Sequence, residues 1–139
     1  MNTFYKTALF CAALLDASLA SGADLTIQID DIRAATGSVM VAVYNSEGSF
    51  LKTPFKADQA SVSGNSAALV IKGLPEGDYA FAVYHDADAN GKMDRNLLGT
   101  PTEDYAFSNN ALGKMGPPSY ASARFALPVA GASVRVSLK

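Results

Sequence analysis

The side chains best suited to binding a ligand are concentrated in one short segment, residues 86–94, which reads DADANGKMD. Calcium ions prefer hard oxygen ligands, several of them charged. If Asp86 is the first position, side-chain oxygens stand at positions one, three, five and nine, and Gly91 stands at position six, where the loop of an EF-hand turns sharply. The spacing therefore predicts a Ca²⁺ site. Its expected ligands are the side chains of Asp86, Asp88, Asn90 and Asp94 and the main-chain carbonyl of Lys92.

This acidic loop departs from an EF-hand in two ways. Leu97 occupies position twelve, where an EF-hand has a bidentate glutamate, and residues 79–85 alternate like a strand rather than an entering helix. We therefore expect an EF-hand-like loop on a β scaffold, in which Glu103 or Asp104 folds back and Glu103 is the candidate that completes the coordination. A Kd of about 10⁻⁴ to 10⁻³ M is expected for Ca²⁺, and Mg²⁺ fits less well because it seldom uses an all-protein ligand set. The alternative is an ordinary solvated turn, since Asp, Asn and Gly are common loop residues.

The single histidine, His85, directly precedes the acidic loop. A histidine oriented by a carboxylate can act as a general base, so one hypothesis is a hydrolase that uses His85 with Asp86 or Glu103, with its substrate near Asn109. No G-x-S-x-G or H-E-x-x-H motif and no cysteine pair accompanies this histidine. The sequence therefore favours a non-enzymatic protein, in which His85 ends a strand and hydrogen-bonds to a neighbour.

A second candidate site combines aromatic and amide side chains that could stack on, and hydrogen-bond to, a sugar or a peptide. It comprises His85, Phe107, Asn109, Asn110 and Tyr120. The alternative is that the aromatic rings cover one end of the fold and the asparagines complete turns. The ligand is left open among a protein, a peptide and a carbohydrate.

Most of the chain outside these sites alternates apolar and polar residues, which is the pattern of strands with one buried face. Turn residues separate about seven such segments, and no segment after the amino-terminal region has a sustained helical period. We therefore predict an all-β fold, a single Ig-like or prealbumin-like β-sandwich of about seven strands. The predicted strands cover residues 25–29, 39–44, 60–62, 67–71, 79–85, 123–127 and 134–138.

Two features of the middle of the chain bear on the acidic loop. Tyr79 follows a tight Leu-Pro-Glu-Gly turn and is similar to a tyrosine corner, in which the hydroxyl bonds back to the main chain. The other face of the same strand carries Ala80 and Ala82, and such small side chains predict an element packed closely over them. After the loop, about twenty residues rich in Gly and Pro form an irregular connection, which is uncommon unless it is functional or pinned, for example by a metal.

The amino-terminal residues predict export. Lys6 precedes an apolar run at residues 7–15, and residues 18–20 form a small-residue cleavage pattern. The run is too short to span a bilayer; the alternative to a signal peptide is a buried amino-terminal helix. We expect a signal peptide over residues 1–20 and one domain over residues 24–139, with cleavage after Ala23 as the alternative to cleavage after Ala20. The mature protein would then be periplasmic or extracellular.

The composition of the chain limits the classes of partner that it is expected to bind. The chain has 139 residues and a net charge of −2, which suits one domain and gives no electrostatic footprint for nucleic acid. Its one cysteine, Cys11, lies in the predicted signal peptide, so the mature domain needs a hydrophobic core or a bound metal rather than a disulfide. No segment predicts a membrane span.

Several motifs together resemble the DUF2141 family, whose members are small exported bacterial proteins without an established function. They read GLPEGDYA, HDADANGKMD, LGTPTE, FSNN and GPPSY, at residues 73–80, 85–94, 98–103, 107–110 and 116–120. Ala106 and Tyr120 stand where the family often has glycine and phenylalanine. The Leu-Pro-x-Gly-x-Tyr turn is also similar to that of prealbumin-like and collagen-adhesin B-type sandwiches, some of which carry calcium loops. The resemblance implies a β-sandwich and agrees with a metal site, but it names no substrate.

Overall fold

The computed structural model describes residues 22–139. The predicted signal peptide, with Cys11, lies outside the described residues. The described part of the chain contains eight strands, one short α-helix and one 3-10 turn. Their bounds are β1 Ala23–Asp30, β2 Ser38–Tyr44, β3 Lys56–Ser61, β4 Ala67–Leu74, β5 Gly77–Asp86, β6 Tyr105–Phe107, the 3-10 turn Ser108–Asn110, α1 Tyr120–Ala123, β7 Phe125–Leu127 and β8 Ala132–Ser137.

The strands form two sheets that pack as a sandwich, so the predicted all-β fold is confirmed. The smaller sheet has the order β4-β1-β8, and the larger has β3-β2-β5-β6, with β7 pairing with the first residues of β5. Paired strands are antiparallel except β1 and β8, which run parallel in register from Leu25–Ala132 to Asp30–Ser137. The Ig-like or prealbumin-like designation stays a prediction.

Alternating apolar residues from both sheets fill the space between them. In β1, Leu25, Ile27 and Ile29 are fully buried, whereas the two residues between them are half-buried. Burial of each such side chain contributes about 1.5–3 kcal/mol. A slip of one residue would turn all three outward, so this alternation fixes the register of the sheet and with it the positions of the loops at its ends.

The start of β5 is anchored by the turn before it. Tyr79 is buried, and its hydroxyl donates a hydrogen bond of 2.6 Å to the carbonyl oxygen of Pro75. The predicted tyrosine-corner contact is therefore confirmed. Because β5 lies between β2 and β6 in the larger sheet, fixing its start also fixes where its other end delivers Asp86.

The outer face of the larger sheet, which points away from the smaller sheet, is covered over only part of its length. Ala80 is fully buried in a second apolar cluster with Phe50, Phe107 and Ala123. This confirms that an element packs over Ala80. Ala82, two residues further along the same face, remains half-buried.

Ser108 ties the 3-10 turn to both the larger sheet and α1. It is 1% exposed, and its Oγ accepts a hydrogen bond of 3.0 Å from the Phe81 N–H. The same hydroxyl donates a hydrogen bond of 2.6 Å to the carbonyl oxygen of Ala123. One side chain thus satisfies two main-chain groups from separate elements, which fixes the cover over the buried part of the outer face.

The structure corrects three details of the predicted strands. The predicted strand at 60–62 is instead β3, Lys56–Ser61, an edge strand exposed along most of its length and therefore without alternation. The predicted strand at 123–127 is shortened to β7, because Ser119 caps α1 by accepting the Ser122 N–H. The three residues of β6 were not predicted, which raises the count from about seven strands to eight.

Candidate metal centre

The acidic loop is built around the carboxylate of Asp86, the last residue of β5. Asp86 is 2% exposed. One carboxylate oxygen accepts the Asn90 N–H at 3.1 Å, and the other accepts the Gly91 N–H at 2.8 Å. Gly91 has φ +76°, the left-handed conformation that glycine adopts without a steric cost. Asp86 therefore draws the loop back over the end of the strand.

The loop between β1 and β2 supports Asp86 from below. Gly37 has φ +69°, and a Cβ at this position would overlap the carbonyl oxygen of Asp86. The neighbouring Thr36 hydroxyl donates a hydrogen bond of 3.4 Å to the carbonyl oxygen of Ala87. Only glycine permits this close approach of the two main chains, so the base of the acidic loop is fixed by packing as well as by hydrogen bonds.

Three carboxylates converge at the loop. Asp86, Asp88 and Glu103 each contribute one oxygen, and these oxygens lie within 4.8 Å of one another. Glu103 arrives from the irregular connection, and its Oε2 accepts the Asp94 N–H at 3.1 Å. Asp104, the other residue considered for closing the site, instead pairs with Arg33 at 3.1 Å.

Asn90 links the remaining predicted ligands. Its amide NH2 donates to Asp88 at 3.2 Å and to Asp94 at 2.8 Å, while its Oδ1 accepts the Lys92 N–H at 2.8 Å. A cation bound among these carboxylates would take the place of the amide hydrogens. Coordination by Asn90 therefore requires its side chain to turn so that Oδ1 faces the carboxylates.

The loop concentrates negative charge. Loss of hydration raises the pKa of the Asp88 carboxyl above its ordinary value, the Asn90 N–H opposes this rise, and the side chains of Asp86 and Asp94 add to it. Burial also raises the pKa of the Tyr84 hydroxyl, with further contributions from the nearby carboxylates. A cation in the loop would offset the repulsion that these shifts express.

His85 belongs to the framework of the site. It is 3% exposed and lies on the row of β5 side chains that face the space between the sheets. Its Nε2 lies 2.6 Å from the carbonyl oxygen of Thr36. A carbonyl only accepts, so Nε2 carries the proton and donates it. This geometry does not suit a general base acting through Nε2 on a substrate in solvent.

The other residues of the second candidate site also make internal hydrogen bonds. The Asn109 amide donates to the carbonyl oxygens of Ser122 and Arg124, at 3.2 and 2.9 Å. Asn110 Oδ1 accepts the Ser137 N–H at 2.9 Å, which ties the 3-10 turn to β8.

The two aromatic rings of that candidate site lie against Phe50, with centroid distances of 6.4 Å for Phe107 and 5.7 Å for Tyr120. The Tyr120 hydroxyl donates to the carbonyl oxygen of Asp78 at 3.3 Å. Phe107, Tyr120 and the two asparagines therefore hold the 3-10 turn and α1 on the sandwich. His85 lies on the opposite, inward-facing side of β5.

Sequence reasoning missed a groove beside the acidic loop. It has a volume of about 1150 Å³ and lies over the half-buried part of the outer face of the larger sheet. Its floor is formed by separate strands and its walls by two loops, so no continuous segment of the sequence has a pattern that predicts it. The features that could have indicated it were the outward-facing alanines of β2 and β5 and the methionines near them.

The comparisons with known proteins bear on the family of the chain and leave its chemistry open. Among residues 22–139, no helix is long and apolar enough to cross a membrane. The chain matches no curated protein and no solved structure. A family model described as "Uncharacterized protein conserved in bacteria (DUF2141)" matches residues 27–136, which is most of the chain. The resemblance seen in the sequence motifs is thereby confirmed, and the chain belongs to the DUF2141 family.

Proposed function

We propose that this chain is an exported, non-enzymatic β-sandwich module in which Ca²⁺ bound at the acidic loop orders a binding surface within residues 86–110. The observation that carries the proposal is the convergence of Asp86, Asp88 and Glu103, whose oxygens lie within 4.8 Å of one another. These residues come from two parts of the chain, so a cation bound to them would join the end of β5 to the irregular connection.

The electrostatics support a hard divalent cation. Three like charges at this separation repel one another. Loss of hydration, with further contributions from Asp86 and Asp94, raises the pKa of Asp88, so the loop does not stabilise its negative charges by itself. Carboxylate, amide and main-chain oxygens are the ligands that Ca²⁺ prefers. The proposed ligand set is Asp86, Asp88, Asn90, Asp94, Glu103 and the carbonyl of Lys92.

The hydrogen bonds around Asp94 explain how such a cation would order more than the loop itself. The Asp94 N–H donates to Glu103, and the Thr102 N–H donates to the Asp94 carbonyl oxygen at 2.9 Å. Arg95 and Pro101 pair across the same segment. Residues 94–103 thus form a closed loop whose two ends meet at the carboxylate cluster, and a cation there would hold both ends together.

Thermal unfolding of residues 21–139 in Ca²⁺, in Mg²⁺ and in chelator tests the proposal. With Kd between about 10⁻⁴ and 10⁻³ M, 10 mM Ca²⁺ adds about 1.4–2.7 kcal/mol to the free energy of unfolding. For a domain of this size that corresponds to a rise in Tm of about 5–11 °C, and Mg²⁺ should give a smaller rise.

Paired variants locate the effect. Asp88→Ala should abolish the calcium-specific rise in Tm. Glu76→Ala removes an exposed carboxylate from the turn before β5 and should leave the rise unchanged. If unmodified protein shows no rise at 10 mM Ca²⁺, the acidic loop is an ordinary turn and the proposal fails. The same rise with Mg²⁺ would mean that the loop does not select Ca²⁺, which contradicts the proposed calcium site.

A further inference from the structure

The floor of the groove is a row of small side chains. Ala42 of β2 pairs with Ala57 of β3 on one side and with Ala82 of β5 on the other. All three line the groove. Neighbouring strands lie about 4.8 Å apart, so the row crosses the sheet for about 10 Å. The next row carries the taller side chains of Met40 and Tyr84, which bound the floor on the side of the acidic loop.

Two loops raise walls over this floor and present apolar side chains to solvent. The first wall loop, residues 93–101, holds Leu98, which is 90% exposed. The second wall loop, residues 113–117, holds Met115, which is 102% exposed. Large apolar side chains clustered around a concavity are typical of a binding site rather than of an ordinary surface.

The methionines add to this argument. The sequence has four, and the three within residues 22–139, Met40, Met93 and Met115, all line the groove. Methionine is flexible and polarizable, so it adapts to apolar ligands of irregular or variable shape. The groove is thus suited to a slender, flexible apolar chain lying on the alanine row.

The charged side chains of the groove indicate which charge the headgroup of such a ligand would carry. Arg95 from the first wall loop and Lys114 from the second both line the groove, and within residues 22–139 neither forms a salt bridge. Asp58 of the edge strand is the one carboxylate in the lining, and its Oδ1 accepts the Gln59 N–H at 2.8 Å. The lining therefore carries two cations and one carboxylate, in a chain whose net charge is −2, and the carboxylates of the acidic loop lie beyond the Met40 and Tyr84 edge of the groove.

We propose that the groove binds a monomeric single-chain amphiphile with an apolar tail and one anionic headgroup, such as a long-chain carboxylate. The tail lies on the row of Ala42, Ala57 and Ala82, and the headgroup is bound between Arg95 and Lys114. The proposed groove ligand is the ligand that the proposed function leaves open. Its binding rests on the proposed function only for the effect of Ca²⁺, because the first wall loop begins within the acidic loop.

Calorimetric titration of residues 21–139 with dodecanoate, below its micelle concentration, tests this inference. We expect saturable binding of one dodecanoate per chain. Dodecyltrimethylammonium has the same tail with the opposite charge and should bind about tenfold more weakly, since two wall cations then repel rather than attract the headgroup. Equal affinity for the two amphiphiles, or no saturable binding of dodecanoate, overturns the proposal.

Two variant pairs locate the binding. Ala42→Phe fills the floor and should abolish binding, whereas Ala68→Phe, on an exposed position of β4 in the other sheet, should not change it. Lys114→Gln should weaken dodecanoate binding about threefold and should not weaken the binding of dodecyltrimethylammonium. Lys72→Gln on β4 should change neither affinity. Because Lys114 is exposed on a loop, this second pair tests the site without disturbing the core. Unchanged binding in both groove variants places the ligand elsewhere and overturns the proposal.

Further measurements distinguish an amphiphile in the groove from a bilayer bound to the same surface, and they distinguish the groove from the proposed calcium site. Vesicles of phosphatidylglycerol that bind the chain when dodecanoate does not would indicate a bilayer-docking surface and refute the groove. Dodecanoate binding that is equal in Ca²⁺ and in chelator supports the groove and contradicts the calcium ordering. A calcium-specific rise in Tm without dodecanoate binding refutes the groove and leaves the metal site standing.

Discussion

Replacing Asp86 by alanine separates the structural role of this carboxylate from metal binding. In the presence of chelator no Ca²⁺ is bound, so any loss of stability reflects the hydrogen bonds that Asp86 makes within the protein. Asp86 is 2% exposed and accepts the N–H groups of Asn90 and Gly91 at 3.1 and 2.8 Å. We expect Asp86→Ala to destabilise the metal-free fold substantially.

The magnitude follows from these contacts. Hydrogen bonds to a charged group contribute about 1.5–3 kcal/mol each, which gives a gross loss of about 3–6 kcal/mol for the pair. Two effects reduce it: removing a buried carboxylate recovers its desolvation cost, and the freed N–H groups lie in an exposed loop where water can accept them. A net loss of about 2 kcal/mol remains, and at about 0.25 kcal/mol per kelvin for a domain of this size it lowers Tm by about 8 °C.

The assay is urea denaturation and thermal unfolding of residues 21–139 in chelator, with Asp88→Ala as the matched variant. Asp88 is exposed, and its raised pKa indicates that the folded state disfavours its charge. Its removal should therefore leave the free energy of unfolding unchanged or raise it slightly. Both variants should lose the calcium-specific rise in Tm.

An Asp86→Ala protein that unfolds within about 0.5 kcal/mol of the unmodified protein would refute this reasoning, because the two hydrogen bonds could not then organise the loop. Equal losses for Asp86→Ala and Asp88→Ala in chelator would also contradict it. Such a result would mean that the carboxylates act on stability as a shared charge cluster and that Asp86 has no separate structural role.

Three further outcomes are expected. Ser108→Ala leaves one N–H of β5 and one carbonyl of α1 without partners, so guanidinium denaturation should show a loss of about 2–3 kcal/mol, with the exposed Ser133→Ala unaffected. Gly91→Ala places Cβ in open space but keeps φ at +76°, so its loss of about 1–2 kcal/mol reports strain alone; Gly48→Ala, also in open space and without a positive φ, is the control. The raised pKa of Asp88 means that the folded state binds this proton more tightly than the unfolded state. In chelator the contribution of Asp88 to the free energy of unfolding should therefore fall as pH rises from 3.8 through the higher folded-state pKa. Over that range the free energy of unfolding of Asp88→Asn, measured relative to the unmodified protein, should rise.

The strands that alternate were predictable because one of their faces is buried. Leu25, Ile27 and Ile29 show this directly, since each is fully buried and each is separated from the next by a partly exposed residue. The edge strand β3 has no buried face along most of its length, so its residues carry no such signal. The three residues of β6 are too few to show a period, and only pairing with β5 makes them a strand.

The acidic loop was predictable from the sequence and the groove was not, because the loop is formed by neighbouring residues and the groove by separate parts of the chain. Asp86, Asp88 and Gly91 lie within one short segment, so their spacing alone indicated how the loop would fold. Glu103 reaches that loop only because the main chain turns back at Asp94, where the Asp94 N–H donates to the Glu103 carboxylate. This contact is long-range, so the sequence alone left two acidic residues, Glu103 and Asp104, as candidates for completing the coordination. Ala80 and Ala82 looked equivalent in the sequence, yet Ala80 is fully buried in the aromatic cluster, whereas Ala82 packs against the edge of that cluster and remains half-buried.

The parallel pairing of β1 with β8 has a mechanical consequence. Because the two strands run in the same direction, the start of β1 and the end of β8 lie at opposite ends of the sandwich. A force that pulls these two points apart acts along the strands and loads the hydrogen bonds from Leu25–Ala132 to Asp30–Ser137 together, in shear. An antiparallel pair pulled at one end would instead open one bond at a time. Stretching the domain between residues 23 and 137 should therefore require the rupture of this whole ladder in a single event.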